Sequence, residues 1–173
     1  MELTSGGTGF AGLPGRGRSI GALEDRVALR DLVESYAAAV DARDVELFVS
    51  LFTADGVLQV HYADLPDPHP ATVGAAALAR IPGALSMRFP VTFHFVGNHR
   101  CQVDGARAVG ETYCEAHHLH TGADGEPADL RMAIRYADTY TRGAGSVWRF
   151  TRRTVNVLWQ QDGPVTASVP HRP

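Results

Sequence analysis

Apolar positions recur with helical spacing along the first part of the chain. Between Leu23 and Val40 they fall at Val27, Leu29, Leu32, Val33, Tyr36, Ala37 and Val40, and the series 29, 32, 33, 36, 40 keeps to one helical face. A shorter helix follows, with Asp44 as its N-cap and Leu47, Phe48, Leu51 and Phe52 as its apolar stripe. Ala54-Asp55-Gly56 signals a turn, and Gly56 to Tyr62 then alternates as a strand with Leu58, Val60 and Tyr62 on one face. Three prolines make 64–70 a loop. Thr72 to Arg80 reads as a short helix capped by Thr72 and ended by Pro82-Gly83.

Beyond residue 90 the pattern changes. The stretches 91–103, 106–120, 128–142 and 147–160 are separated by turn signals at Asp104-Gly105, 122–127 and 143–145, the mark of an antiparallel meander. Each exceeds the usual strand length of about 5–6 residues, so the strands must twist and bulge. Helices placed before an antiparallel sheet specify an α+β domain. A strongly curved sheet closed on its concave side by the N-terminal helices makes a cone, with a pocket suited to a small, mostly apolar molecule. Glycine density marks 1–21 as a flexible tail; 22–162 is read as the folded domain and 163–173 as a C-terminal tail.

Composition narrows the function. A chain of 173 residues suits one domain. A net charge of −3 argues against capture of nucleic acid or of an anionic membrane surface. No apolar run approaches the roughly 20 residues of a membrane span, and the N-terminal stretch has no apolar segment of a secretory signal. Two cysteines, Cys101 and Cys114, cannot make a disulfide framework, so a cytoplasmic protein with reduced thiols is expected.

The candidate chemistry is carried by histidines. Five of the eight, His94, His99, His117, His118 and His120, lie on the first two strands of the meander. Alternation puts His94, Val96 and Asn98 on one face and Phe93 and Phe95 on the other. A two-residue loop at Asp104-Gly105 would bring His117 to the face of His94; a three-residue loop with a glycine bulge would bring His118. Asp41 ends the first helix one turn after Ala37, where a carboxylate is ordinarily solvated. His118 and His120 form an H-x-H pair, but a metal site would also need a positioned carboxylate and partners behind each histidine, so no metal is expected. Tyr36, Tyr62, Tyr113 and Tyr136 are candidate phenol donors. Arg152 shares its strand face with Trp148 and Phe150, which makes it the member of the Arg149, Arg152, Arg153 cluster expected to reach inward. No phosphate loop, nucleophile elbow or H-E-x-x-H motif occurs.

Residues 24–60, together with FHFVGN at 93–98, VDGARAVGETYCEAHH at 103–118 and YADTYTRGAGSVWRFTRR at 136–153, resemble SnoaL-like proteins of the nuclear transport factor 2-like superfamily. The resemblance spans about residues 22–160 and implies the α+β cone. The superfamily includes polyketide cyclases, scytalone and bile-acid dehydratases, ketosteroid isomerase and limonene epoxide hydrolase, and the non-catalytic β subunits of ring-hydroxylating dioxygenases. The scytalone dehydratase pattern places its aspartate on Asp41, within D-x-x-D, and its first histidine on His94, within H-F-[VI]-G. It places its second histidine on His118, with His117 one step away, and a pocket tyrosine near Tyr62. The tyrosine that precedes the aspartate in that pattern is replaced by Val40, whereas the bile-acid dehydratase pattern has a tyrosine at Tyr36. The resemblance implies a cofactor-independent dehydratase, isomerase or cyclase acting on a small lipophilic carbonyl compound, polyketide- or steroid-like. In that reading Asp41 orients a histidine of the 117–118 pair, His94 transfers the proton, and Tyr36 or Tyr62 holds the oxygen. Asn98, Tyr136, Asp138 and Arg152 complete the expected substrate-binding set, with walls from Leu58, Val60, Phe89, Val96 and Met132. Two alternatives remain open: a ligand-binding or partner-subunit module of the same fold, and an epoxide hydrolase using Asp41 with Asp138. The resemblance also implies a homodimer formed through the convex face of the sheet.

Overall fold

The helical face read between residues 29 and 40 packs as its spacing demands. In the computed structural model, which describes residues 20–166, α1 (Ile20–Ala42) buries Leu29, Leu32, Val33, Tyr36 and Val40. The expected tails lie outside the described residues up to residue 19 and from 167 onward. Ile20 and Gly21 already belong to α1, and Gly163 and Pro164 to the last strand. α2 (Val45–Ser50) starts where its cap residue dictates: Asp44 Oδ1 accepts from the Leu47 N–H at 2.9 Å. Phe52 is not part of that helix. It opens β1 (Phe52–Tyr62), and the turn expected at 54–56 is an irregularity inside the strand, between Phe52 and Val57. Gly56 is needed there, since a Cβ would sit 2.8 Å from Phe52 Cβ.

The expected helix over 72–80 divides instead. Thr72-Val73 form a two-residue strand, β2, paired with β1. Gly74, at φ 83°, turns the chain into α3 (Ala75–Leu78). Pro82 does not end a helix but sits in the first turn of α4 (Ile81–Arg88), where its missing N–H has no intrahelical partner to lose.

β3 (Val91–Asp104), β4 (Arg107–Thr121), β5 (Pro127–Arg142) and β6 (Trp148–Pro164) follow the expected stretches. With β1 and β2 they form one curved, unclosed sheet ordered β2-β1-β6-β5-β4-β3, antiparallel except where β1 runs parallel to β6. α1 crosses the sheet against β3. Asp25 Oδ1 ties its start to the sheet by accepting from Arg142 Nη1 at 2.7 Å and from Trp148 Nε1 at 2.9 Å. Tyr36, Phe48, Phe52, Tyr140 and Phe150 form a continuous aromatic core under the helices.

Bulges decide which residues point into the cone, and two of them bear on the expected site residues. In β3, pairing runs from Asp104–Arg107 to His99–Thr112, then two residues, Gly97 and Asn98, stand against Tyr113 alone. Side-chain parity reverses there, so His99, Cys101 and Val103 share the concave face with Thr92, His94 and Val96. Arg30 of α1 holds this bulge by donating to the carbonyls of Val96 and Gly97. In β6, Thr151 is the extra residue between the Phe150–Tyr140 and Arg152–Thr139 pairs. It carries Arg153, rather than Arg152, to the concave side.

Candidate functional site

α1 ends in a Schellman arrangement: the Asp44 N–H reaches Ala39 O at 2.9 Å and the Arg43 N–H reaches Val40 O at 3.3 Å. Arg43 takes the left-handed conformation this turn requires, at φ 58°. Asp41 therefore sits in the last helical turn, facing β3. Its Oδ1 accepts from Thr92 Oγ1 at 2.8 Å and meets His94 Nδ1 at 2.7 Å, while Oδ2 accepts from the His94 backbone N–H at 2.9 Å. Arg43 braces the same cluster by donating to Thr92 Oγ1 at 2.8 Å and to Phe89 O at 2.8 Å. Burial works to raise the Asp41 carboxyl, but the hydrogen bonds and charge of His94 and the Thr92 hydroxyl outweigh it and hold the pKa below the ordinary value. An ionised Asp41 fixes the His94 proton on Nδ1 and leaves Nε2 as a base.

Asp41 orients His94 and neither residue of the 117–118 pair, which corrects the expected assignment. The loop between β3 and β4 is the two-residue Gly105-Ala106, and the β3 bulge puts Ala116 opposite His94 and His118 opposite Thr92. His118 is buried on the concave face, its ring 5.5 Å from that of His94 and at 83° to it. Its Nδ1 lies 3.2 Å from Leu130 O, which makes Nδ1 the donor and leaves Nε2 unprotonated. Burial first, and then the charge His94 would carry when protonated, push its pKa down to about 4, so it is neutral at pH 7. His117 points to the convex side, with Nδ1 2.6 Å from Asp129 Oδ2. His120 is bonded through Nε2 to Asp162 Oδ1 at 2.9 Å.

His94 and His118 face a cavity of about 960 Å³. Leu58, Val60, Phe89 and Met132 line it as expected, whereas Val96 packs into the core. Tyr36, Tyr62 and Tyr136 also line it, Tyr62 packed at a tilt against His69 with ring centres 5.2 Å apart. Burial raises the Tyr36 phenol to about 12 and moves Tyr136, whose hydroxyl also bonds the Cys114 thiol, up as well, so both stay protonated.

Three expected contacts lie elsewhere. Asn98 is exposed, because the bulge turns it to the convex side. Arg152 is exposed and donates to Gln59 Oε1 at 3.2 Å. Asp138 does not line the cavity. It is fully buried in a two-pronged pair with Arg153, from Nε at 2.9 Å and Nη2 at 2.7 Å, and accepts from Tyr140 at 3.0 Å. No carboxylate pair of Asp41 with Asp138 faces a ligand. Thr92, Arg43 and Arg153 escaped the sequence reading; Thr92, two residues before His94 on the same strand face, was the one of these that alternation alone could have placed.

Among the described residues no helix is long and apolar enough to cross a membrane. No curated protein sequence is similar to the chain. Solved structures are. A candidate aromatic ring hydroxylase from Novosphingobium aromaticivorans aligns at 25% identity and TM-score 0.68, over 82% of this chain and 94% of that one. A candidate scytalone dehydratase from the same organism aligns at 23% identity and TM-score 0.67, over 86% and 94%. The hexachlorocyclohexane dehydrochlorinase LinA-type3 from Novosphingobium barchaimii aligns at 18% identity and TM-score 0.67, over 88% and 97%. The fold is thus that of nuclear transport factor 2-like proteins. The SnoaL-like domain family matches residues 21–154, and the chain belongs to that family.

Proposed function

We propose that the chain is a cofactor-independent lyase of the dehydratase type, acting on a small lipophilic β-hydroxy carbonyl compound through an enolate. The observation that carries this reading is the Asp41–His94 pair at the wall of a largely apolar cavity. His94 Nε2 takes the α-proton, the C–H pair moves toward the carbonyl oxygen, and Asp41 stabilises the imidazolium that forms. Phenols of Tyr36 and Tyr136 donate to the oxygen as its charge grows. The enolate then expels the β-hydroxyl, which takes the proton back from His94 and leaves as water. His118 is neutral near pH 7, so it serves as an acceptor that orients the substrate hydroxyl and not as the acid. An isomerisation or an aldol cyclisation on the same groups passes through the same enolate. A cavity of about 960 Å³ accommodates a multi-ring, polyketide- or steroid-like molecule.

The test is a screen of β-hydroxy ketones and Δ-enones by ultraviolet absorbance. Turnover should fall by about 10²–10⁴-fold in His94→Ala and in Asp41→Asn. Turnover that survives both substitutions removes the assignment. Uptake of such compounds with no turnover would make the chain a ligand carrier instead.

We further propose a homodimer through the convex face. Phe93, Phe95 and Trp159 are 56%, 62% and 63% exposed there, and Phe95, Tyr113, Leu158 and Trp159 line a shallow apolar pocket.

A further inference from the structure

Arg153 is the one arginine among the described residues with no exposed surface. Three rings enclose its guanidinium: Tyr36 at 4.1 Å, Tyr136 at 4.2 Å and Phe150 at 4.2 Å from ring centre to Cζ. Asp138 takes up Nε and Nη2, while Nη1 has no hydrogen-bond partner. Two of the three rings, Tyr36 and Tyr136, line the cavity that His94 and His118 face. A buried cation with an idle Nη1 is costly in a core, and packing does not require it, since an apolar side chain would fill the same space. Its field does reach the phenols. At Tyr36 burial is the largest influence, and the Arg153 charge acts against it.

We propose that Arg153 is a positioning residue for an oxyanion pole of the cavity. It holds the Tyr36 and Tyr136 rings in place and strengthens their hydroxyls as donors to a substrate oxygen that gains negative charge. Arg153 touches no reacting atom; it works through the two phenols, whose bonds to an anionic oxygen gain from a fixed positive charge behind them. The proposal rests on the enolate reading, because only a reaction that charges an oxygen makes use of such a pole. It also extends that reading: a substrate must present its carbonyl oxygen to the tyrosines and the adjacent α-carbon to His94.

The probe is 2-naphthol, an apolar two-ring compound with a single ionisable oxygen. Its bound-state pKa is read by absorbance on the full chain, without any turnover. The wild-type protein should bind the anion about tenfold more tightly than the neutral form, a downward shift of about one unit. The His94→Ala variant should keep that shift. The double variant Arg153→Met with Asp138→Asn, which removes both buried charges together, should abolish it, and Tyr36→Phe should reduce it. The Arg153→Lys variant keeps the charge without the fork that spans Asp138, and should show an intermediate shift. No shift in the wild type, a shift that follows His94, or a full shift in either folded Arg153 variant overturns the proposal. Failure of 2-naphthol to bind at all also overturns it. An Arg153-dependent shift without any turnover would retain the pole and discard the lyase; turnover without the shift would do the reverse.

Discussion

Arg43 holds a left-handed conformation that glycine ordinarily takes at the end of a helix, at a cost of about 1–2 kcal/mol. Its side chain is what justifies the strain, since it bonds Val40 O, Phe89 O and Thr92 Oγ1 and so braces the hydroxyl that donates to Asp41. Replacement by glycine relieves the strain and removes the brace together. Arg43→Gly should leave stability within about 1 kcal/mol of wild type while lowering kcat roughly tenfold, measured by denaturant melts beside turnover. A loss of stability without a loss of rate would make Arg43 a purely structural residue. His118 offers a second residue-scale consequence. Its folded pKa of about 4 lies below the ordinary 6.5, so between those values the unfolded chain binds the extra proton. Stability therefore rises with pH across that window and is lost as pH falls from 6.5 toward 4, by roughly 3 kcal/mol at most from this group. Thermal melts from pH 4 to 7 should show this slope, and His118→Gln should flatten it.

At the scale of elements, the strands and helices were legible because each carries its own period. The long helix, the Asp44 cap and the four long strands stand where the pattern puts them. What the pattern hid were the bulges. An extra residue in β3 at Gly97-Asn98 and another in β6 at Thr151 change side-chain parity midway along a strand; Gly97, a glycine inside a strand, could have marked the first, and nothing at Thr151 marks the second. Hence Asn98 and Arg152, inward by simple alternation, face out, while Arg153 faces in. The Asp41–His94 contact was hidden for a related reason: it depends on where α1 crosses β3, a tertiary fact. Thr72 and Pro82 misled through local chemistry, since a helix cap and a short strand start share residue types, and a proline both ends one helix and begins the next. The β3 bulge is held from outside the strand by Arg30. Arg30→Met should cost about 1–3 kcal/mol, and amide exchange at 96–99 should quicken more than in β5. Uniform exchange across both strands would show that Arg30 does not hold the bulge.

The whole molecule presents two apolar surfaces of opposite curvature: a concave one around the cavity and a convex one bearing Phe93, Phe95, Leu158 and Trp159. The large exposed side chains of the second are what the proposed homodimer rests on. Sedimentation should give a dimer for the wild type at micromolar concentration and a monomer for Trp159→Glu, with a melting temperature that rises with concentration only in the former. A monomeric wild type would leave the convex face without the proposed partner.

The parallel seam between β1 and β6 bears on how the chain reaches this state. Phe52 pairs with Phe150 and Tyr62 with Val157, partners separated by more than half the chain. Loop closure on that span is slow, and the cone cannot close until the last strand has been made. During synthesis α1 and β1 wait with their apolar faces uncovered, and the aromatic core that joins Tyr36 to Phe150 has only one half of its members. The β3–β5 meander, whose pairings are local, is positioned to form first and to act as the template on which both ends of the chain then settle. Folding of this protein should accordingly be limited by the meeting of its two ends rather than by the formation of its sheet.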